Sequence, residues 1–451
     1  MILWGPLLAN DAVVFEYPDG SGVIPMAEDN IQMVAETVRI KVKKDTRMQV
    51  EARFTFKNLS DKSVKVTMGF PFNENWGMMF GEDETSGRSK AKDSLRFVSL
   101  VDGKEVKVRL RQDLSDNSSW NRRFFFVWDV EFAPRETRRL TTKYETDWDR
   151  WANVDNQFSY ELSYITTTGA AWAGRIEDAV ISVEIPKKLP RPTWSEEAMV
   201  YWRCSPGEPS ANPDSSRLVW HFKDWEPDAD IRITIAGQEY NTLSRHVLIE
   251  EICDLGIDRP LTEEDIRSLF VSYGFPKRYV VRILINTLYA KAGHRFKDKD
   301  WEALFKEFDW YKPKKSLDFK DLPENYQKTI EAARRVEEEQ KALEEKVRRG
   351  PYGRFMSEFA VMFFYPGYLN FREENLERYL PPDPEGQRAW LRLARNALYA
   401  WAGYDFENED LADFFSVMPW YDPNRDFEGL NQDEAEAVLN IMRYEERKGF
   451  R

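Results

Sequence analysis

The strongest constraint on this chain is an internal duplication in its C-terminal part. Arg282 and Arg392 mark two stretches that stay in register at a constant spacing of 110 residues. At that spacing Asn286 meets Asn396, Leu288 meets Leu398, and Tyr289-Ala290 meets Tyr399-Ala400. Ala292-Gly293 meets Ala402-Gly403, and Phe296 meets Phe406. Asp300, Phe305, Trp310-Tyr311 and Pro313 meet Asp410, Phe415, Trp420-Tyr421 and Pro423; upstream, Glu263-Glu264 meets Glu373-Glu374. No gap is needed from 262 to 313, so one supersecondary unit is written twice.

Each copy opens with a short amphipathic helix, Glu263–Phe270 or Glu373–Leu380, followed by a main helix over Pro276–Ala292 or Gln387–Ala402. Proline suits a first helical turn. Gly293 and Gly403 fall where a left-handed residue ends a helix. At about 100° per residue, Arg282, Asn286, Tyr289 and Gly293 share one stripe while Leu288 and Ala292 share another, so both faces are packed. An asparagine inside a helix competes with the backbone for hydrogen bonds. Asn286 and Asn396 are therefore expected to bond the backbone of the Trp-Tyr-x-Pro loop, made by Trp310, Tyr311 and Pro313 or by Trp420, Tyr421 and Pro423. Loss of such a bond in Asn396→Ala would cost about 1–3 kcal/mol. A ligand-binding amide is the functional alternative. Where the copies differ most tellingly, Lys291 stands against Trp401, and these two are the candidate binding positions.

The N-terminal half reads as β. Met48, Val50, Ala52, Phe54 and Phe56 alternate with polar residues, as do Val64, Val66, Met68 and Phe70. Period two marks a half-buried strand. Asn58–Lys62 lies between these runs and predicts a hairpin turn. Asp102-Gly103, between Phe97–Val101 and Val106–Leu110, predicts a second one. Further strands are expected at Phe124–Phe132, Arg138–Tyr144, Phe158–Ile165, Ala179–Ile185, Leu218–Phe222 and Ile231–Ile235. The result is an antiparallel sandwich, or two β-subdomains. Asn73–Lys92 is a long loop and a candidate mobile or binding element.

Two resemblances follow from these residues. Asn10-Asp11, Met26-Ala27-Glu28-Asp29, Val50–Phe56, Asn58-Leu59-Ser60-Asp61, Gly69-Phe70-Pro71 and Tyr164–Gly174 resemble an uncharacterised family of bacterial exported β-rich proteins. That resemblance implies export and a fold, with no activity attached. The repeated unit resembles the YARHG domain family, whose run Arg-Asn-Glu-Ile-Tyr-Ala-Arg-His-Gly-Tyr-x-Phe precedes a Trp-Tyr-x-Pro loop. The second copy keeps Arg395-Asn396, Tyr399-Ala400, Gly403-Tyr404 and Phe406. The first keeps Asn286, Tyr289-Ala290, Gly293 and Phe296, with Ile285 in place of the arginine. The family's Arg-His pair is Lys291-Ala292 in one copy and Trp401-Ala402 in the other, so a role resting on that histidine is absent. The resemblance implies small helical modules on the envelope side of a bacterium.

Composition narrows the function classes. The net charge of -13 sets the whole-protein field against nucleic acid, and no basic face offsets it. No apolar run approaches the roughly 20 residues of a membrane-spanning helix. Aromatic residues make up 14% of the chain, which suits aromatic-rich cores or a surface that stacks sugars. Cys204 and Cys253 lack metal-ligand spacing, and His221, His246 and His294 are scattered. No nucleophile elbow, P-loop, zinc-helix motif, dinucleotide loop or EF-hand is present. No catalytic, metal-binding or cofactor-binding residue is therefore assigned, and no cofactor is expected. Residues 1–9 are apolar and uncharged, fitting either the end of a trimmed signal peptide or a short strand.

The expected layout is α+β and multidomain. A signal remnant at 1–9 precedes a β-sandwich region at 10–240 and a first helical module at 245–321. A charged linker helix at 322–350 then leads to a second module at 352–451. The expected role is that of a non-enzymatic, exported envelope protein, periplasmic or extracellular, whose modules bind a partner protein or a cell-wall component. A glycan binder using exposed aromatics such as Trp401 is the second reading. A hydrolase with its site in the β-region or at its junction with the helices is the third.

Overall fold

The computed structural model describes residues 12–17, 23–43, 47–73, 95–114, 123–147, 149–152, 157–187, 189–194, 198–207, 209–211, 216–239, 242–271, 275–363, 371–381, 383–422 and 426–450. The 1–9 segment, all but the first residue of the Asn73–Lys92 loop, and Pro423 lie outside them. The chain divides into two compact units. One holds Met1–Trp151, Ser159–Arg191 and Arg203–Ile235; the other holds Ala152–Phe158, Pro192–Trp202 and Ala236–Arg451.

The first unit is a β-sandwich. One sheet has the order β2-β1-β5-β9-β8, with β1 Ala12–Glu16, β2 Val23–Pro25, β5 Val64–Asn73, β8 Arg109–Gln112 and β9 Arg123–Phe132. The other has the order β16-β17-β13-β3-β4-β10-β6-β7. Its long strands are β3 Ile31–Val42, β4 Arg47–Asn58, β10 Thr137–Asp147, β13 Ile176–Glu184 and β17 Arg217–Trp225. β6 Val98–Val101, β7 Lys104–Glu105 and β16 Ser210–Ala211 complete it. Strands of these two sheets pair antiparallel except for β13 beside β3, which is parallel. The sheets meet through rings: Phe70 packs on Tyr144 at 4.7 Å and on Phe97 at 4.9 Å, and Phe97 stacks on Phe126 at 4.6 Å. Such pairs add to the area that burial removes from water.

Asp102 and Gly103, at φ 49° and 80°, make the expected tight turn between β6 and β7. The hairpin expected across Asn58–Lys62 is not formed. β4 pairs with β3 and β10, whereas β5 pairs with β1 and β9, so this segment carries the chain from one sheet to the other. Its turn chemistry serves an arch. The fully buried Asn58 amide donates to the carbonyls of Lys62 at 2.7 Å and Ala133 at 2.9 Å, and its oxygen accepts from Ser60 N. Alternation reports which face of a strand is buried and is blind to its partner.

A third sheet has the order β11-β12-β18-β15-β14: β11 Asp149–Ala152, β12 Gln157–Tyr164, β14 Thr193–Trp194, β15 Ala198–Ser205 and β18 Ile231–Glu239.

The second unit is chiefly helical: α1 Thr242–Asp254, α2 Glu263–Ser268, α3 Lys277–Lys291, α4 Lys299–Lys306, α5 Glu324–Arg349, α6 Met356–Met362, α7 Pro384–Trp401, α8 Glu409–Ser416 and α9 Gln432–Arg447. Two short 3-10 turns, Gly353–Phe355 before α6 and Glu373–Arg378, complete the second copy's opening. The repeat is visible in its caps. Asp298 accepts from Asp300 N and Trp301 N to start α4, and Asn408 accepts from Leu411 N to start α8, at matched positions. A single apolar core runs through both copies, from Leu248 and Phe275 to Trp390, Phe415 and Tyr444.

The charged helix α5 differs from a solvated spacer. It buries Thr329, Ile330, Ala332, Ala333, Val336 and Val347, while Glu337 and Glu338 face water or lie half-buried. Residues three apart share a helix face, so a helix rich in charge still carries an apolar seam. Thr329 Oγ accepts from Leu261 N at 2.9 Å, tying α5 to the first module. Counted from the helix starts at Pro323 and Asn431, a spacing of 108 rather than 110, Ile330, Ala333 and Val336 take the places that Val438, Ile441 and Tyr444 take on α9. The N-terminal half of α5 is thus the closing helix of the first copy.

Candidate functional site

The repeated residues converge on the C-terminal ends of α3 and α7. Gly293 and Gly403 adopt φ 87° and 92°, where a side chain would be strained. Gly293 N donates to Ala290 O at 2.9 Å and His294 N to Tyr289 O at 3.0 Å. Gly403 N donates to Ala400 O and Tyr404 N to Tyr399 O, both at 3.0 Å. These paired bonds are a Schellman cap, which brings the third residue before the cap against the second after it. The resulting side-chain contacts are Tyr289–His294 at 5.2 Å and Tyr399–Tyr404 at 6.0 Å. A Cβ on Gly293 would lie 3.3 Å from the Lys312 carbonyl, so the Trp-Tyr-x-Pro loop closes directly over this glycine.

The loop is held by its tyrosine. Tyr311 Oη donates to the carbonyl of His294 at 2.9 Å, and Tyr421 Oη donates to that of Tyr404 at 3.0 Å. Burial raises the pKa of both phenols, that of Tyr421 to about 12 with Asp405 and Asp422 adding to the effect, so each remains a donor at neutral pH. The expected asparagine clasp is not formed among the described residues. Asn396 Nδ2 donates to Arg392 O at 2.7 Å, one turn back on its own helix, and among the described residues Asn286 makes no bond to the loop. Half-buried Asn286 and Asn396 sit on the open side of their helices, so the carbonyl one turn back is within easier reach than the loop.

Lys291 and Trp401 lie on the loop tryptophans. Lys291 Nζ sits 4.1 Å above the ring of half-buried Trp310, a cation–π contact. Trp401 packs on Trp420 at 6.0 Å between ring centres. Buried Trp420 donates its indole N–H to Phe359 O at 3.1 Å. A third matched position explains the exchange. Cys253, beside Lys291 in the first copy, stands 110 residues before Phe363, whose ring is 6.2 Å from that of Trp420. Burial pushes the Cys253 thiol pKa up, and Cys253 and Cys204 are not joined by a disulfide. One copy therefore fills this niche with a thiol and an ammonium, the other with two aromatic rings. Pro313 is half-buried.

Sequence reasoning missed two further features. Tyr404 and Phe427 are 37% and 42% exposed and pack edge to face at 5.2 Å, with Tyr399 beneath them. The matched residues of the first copy, His294 and Leu317, are both half-buried, and Leu317 N donates to His294 Nδ1 at 2.8 Å. That bond needs an unprotonated Nδ1, in keeping with the pKa lowered by burial. The second is Lys277 at the start of α3. It is 7% exposed, with Nζ donating to Ser416 O at 2.8 Å and Tyr421 O at 3.5 Å. A first-copy cation thus holds the second copy's loop. Its burial lowers its pKa to about 8, against the opposing pull of Asp422.

No helix among the described residues is long and apolar enough to cross a membrane, and none of them form a group of three or more His, Cys, Asp or Glu that could hold a metal ion. No curated protein matches the chain. Among solved structures, the chain is similar to a candidate nutrient binding protein from Legionella pneumophila. The identity there is 20% and the TM-score 0.38, over 74% of this chain and 100% of the other. It is also similar to a zinc metallopeptidase of the M1 class from Deinococcus radiodurans at 8% identity and a TM-score of 0.22, over 47% of this chain and 43% of that one. The Mu homology domain of zebrafish (Danio rerio) Fcho1 aligns at 12% identity and a TM-score of 0.15, over 47% and 80%. Similarity at this level transfers no function. The sequence profile of the YARHG domain matches residues 277–338 and 373–446, and the chain carries two copies of that domain in its C-terminal region.

Proposed function

We propose that the protein is an exported component of the bacterial cell envelope, periplasmic or extracellular, that binds rather than catalyses. Its paired YARHG domains form the binding unit, and the second copy carries the contact surface. The observation behind this reading is a contrast between copies on one scaffold. Both keep the Schellman cap and the tyrosine clasp, yet Tyr404 and Phe427 are exposed where His294 and Leu317 are half-buried. Exposed aromatics on a rigid frame are the side chains that dominate binding surfaces. In this reading half-buried Lys291 and Trp401 set the pose of the loop tryptophans.

The ligand is a partner protein or a cell-wall component. The glycan version is favoured by the aromatic character of the exposed cluster. The test is capture by the immobilised full chain from native envelope extract, with isolated peptidoglycan in parallel. Specific capture that is lost in Tyr404→Leu/Phe427→Leu supports the proposal. Equal capture by both proteins, or none by either, contradicts it.

A further inference from the structure

Tyr399, Tyr404 and Phe427 form a notch. The Tyr404 and Phe427 rings are 5.2 Å apart and nearly perpendicular at 78°, with Tyr399 at 6.0 and 6.4 Å completing the third side. We propose that this notch stacks one sugar ring of a neutral glycan strand. The proposal deepens the binding role given above and rests on it.

Three observations select a sugar. The first is pre-organisation. The cap fixes Tyr399 against Tyr404, and the Tyr421 hydroxyl holds the Tyr404 carbonyl at 3.0 Å, so little ordering cost remains on binding. The second is shape. Perpendicular rings offer one flat face and one wall, and a pyranose presents an apolar C–H face with a rim of hydroxyls. The third is the surround. Asp405, Asp426 and Glu428 are exposed and adjoin the two rings in sequence, supplying carboxylate acceptors for hydroxyl donors. Those carboxylates, on a chain of net charge -13, repel an anionic surface. The first copy lacks the notch, because the ring nitrogen of His294 is tied to Leu317 N.

The experiment is calorimetric titration of the full chain with the hexamer of N-acetylglucosamine and, separately, with cellohexaose. Saturable binding to at least one is expected. Tyr404→Leu and Phe427→Leu should each weaken it about three- to tenfold, the span of one aromatic contact. Tyr404→Phe keeps the ring and should bind within about twofold of wild type. Leu439→Ala alters an exposed residue on α9 and should change nothing. Melting curves establish that each variant is folded. Binding that survives both leucine variants overturns the notch as the site. If neither oligosaccharide binds while envelope extract still yields a partner that depends on Tyr404 and Phe427, the sugar assignment fails and the binding role stands. If neither oligosaccharide nor extract is bound, both fail together.

Discussion

The Tyr421 hydroxyl donates to the carbonyl oxygen of Tyr404 at 3.0 Å, across the glycine that ends α7. Tyr311 makes the matched bond to His294 at 2.9 Å. A carbonyl just past a helix end has no helical partner, and here a side chain from the next loop supplies one. Tyr421→Phe should therefore cost about 1–2 kcal/mol, because it leaves that buried pairing unmade. Asn396→Ala should cost less than about 0.5 kcal/mol, since its amide turns back on its own helix. Urea unfolding of the two variants checks the ranking, and the reverse order would return the clasp to the asparagine.

Gly293 combines positive φ with a carbonyl 3.3 Å from where a Cβ would sit. Gly256 has φ 75° with nothing near its would-be Cβ. Gly256→Ala is expected to cost about 1 kcal/mol from backbone strain alone. Gly293→Ala should cost roughly twice that, because the Lys312 backbone must also shift. Equal melting shifts would mean that the loop does not close over the helix end as tightly as described.

The niche beside each loop tryptophan predicts unequal roles for Lys291 and Trp401. Trp401 packs apolar surface on Trp420, so Trp401→Ala should cost about 2–3 kcal/mol. Lys291→Ala removes a half-exposed cation–π contact and should cost about 0.5–1 kcal/mol. Chemical denaturation distinguishes these. If Trp401→Ala leaves stability untouched but abolishes ligand capture, the tryptophan is a contact residue and the packing role is wrong.

Lys277 gives the fold a pH signature. Its folded pKa of about 8 lies below the ordinary 10.5, so between those values the unfolded chain binds more protons than the folded one. Stability from this group therefore rises as pH climbs through that window, by up to about 3 kcal/mol. Tyr421 acts oppositely above its ordinary value of 10, since its folded pKa is raised to about 12. The Cys253 thiol, also raised by burial, opposes the lysine from about its ordinary value of 9 upward, so the window that isolates Lys277 is about pH 7.5–8.5. Stability of the wild type should rise across it relative to Lys277→Met. Parallel pH profiles would show that this lysine does not carry the depressed pKa.

Much of this was legible in the sequence, for a stated physical reason. The duplication, the capping glycines and the β-rich first half are written in local pattern, and local pattern fixes caps, turns and buried faces. Asn58–Lys62 shows the limit: its residues announce a turn, but whether a turn joins neighbours or opposite sheets depends on strands far away in sequence. Asn396 departs from the expected clasp because a helical asparagine has a near acceptor one turn back as well as a distant one. α5 hid its apolar seam under glutamates. Tyr404 and Phe427 were invisible as a pair, since the contact that joins them arises only when the loop folds back over the capped helix.

The paired domains as a binding unit, with the second copy as its contact surface, are tested most directly by a capture experiment. Full-length wild type and Tyr404→Leu/Phe427→Leu, both shown to be folded, are immobilised and exposed to native envelope extract and to isolated peptidoglycan. The wild type should retain a specific component of one of them, and the double variant should lose it. Equal retention by both proteins, or no specific retention by either, would contradict that role.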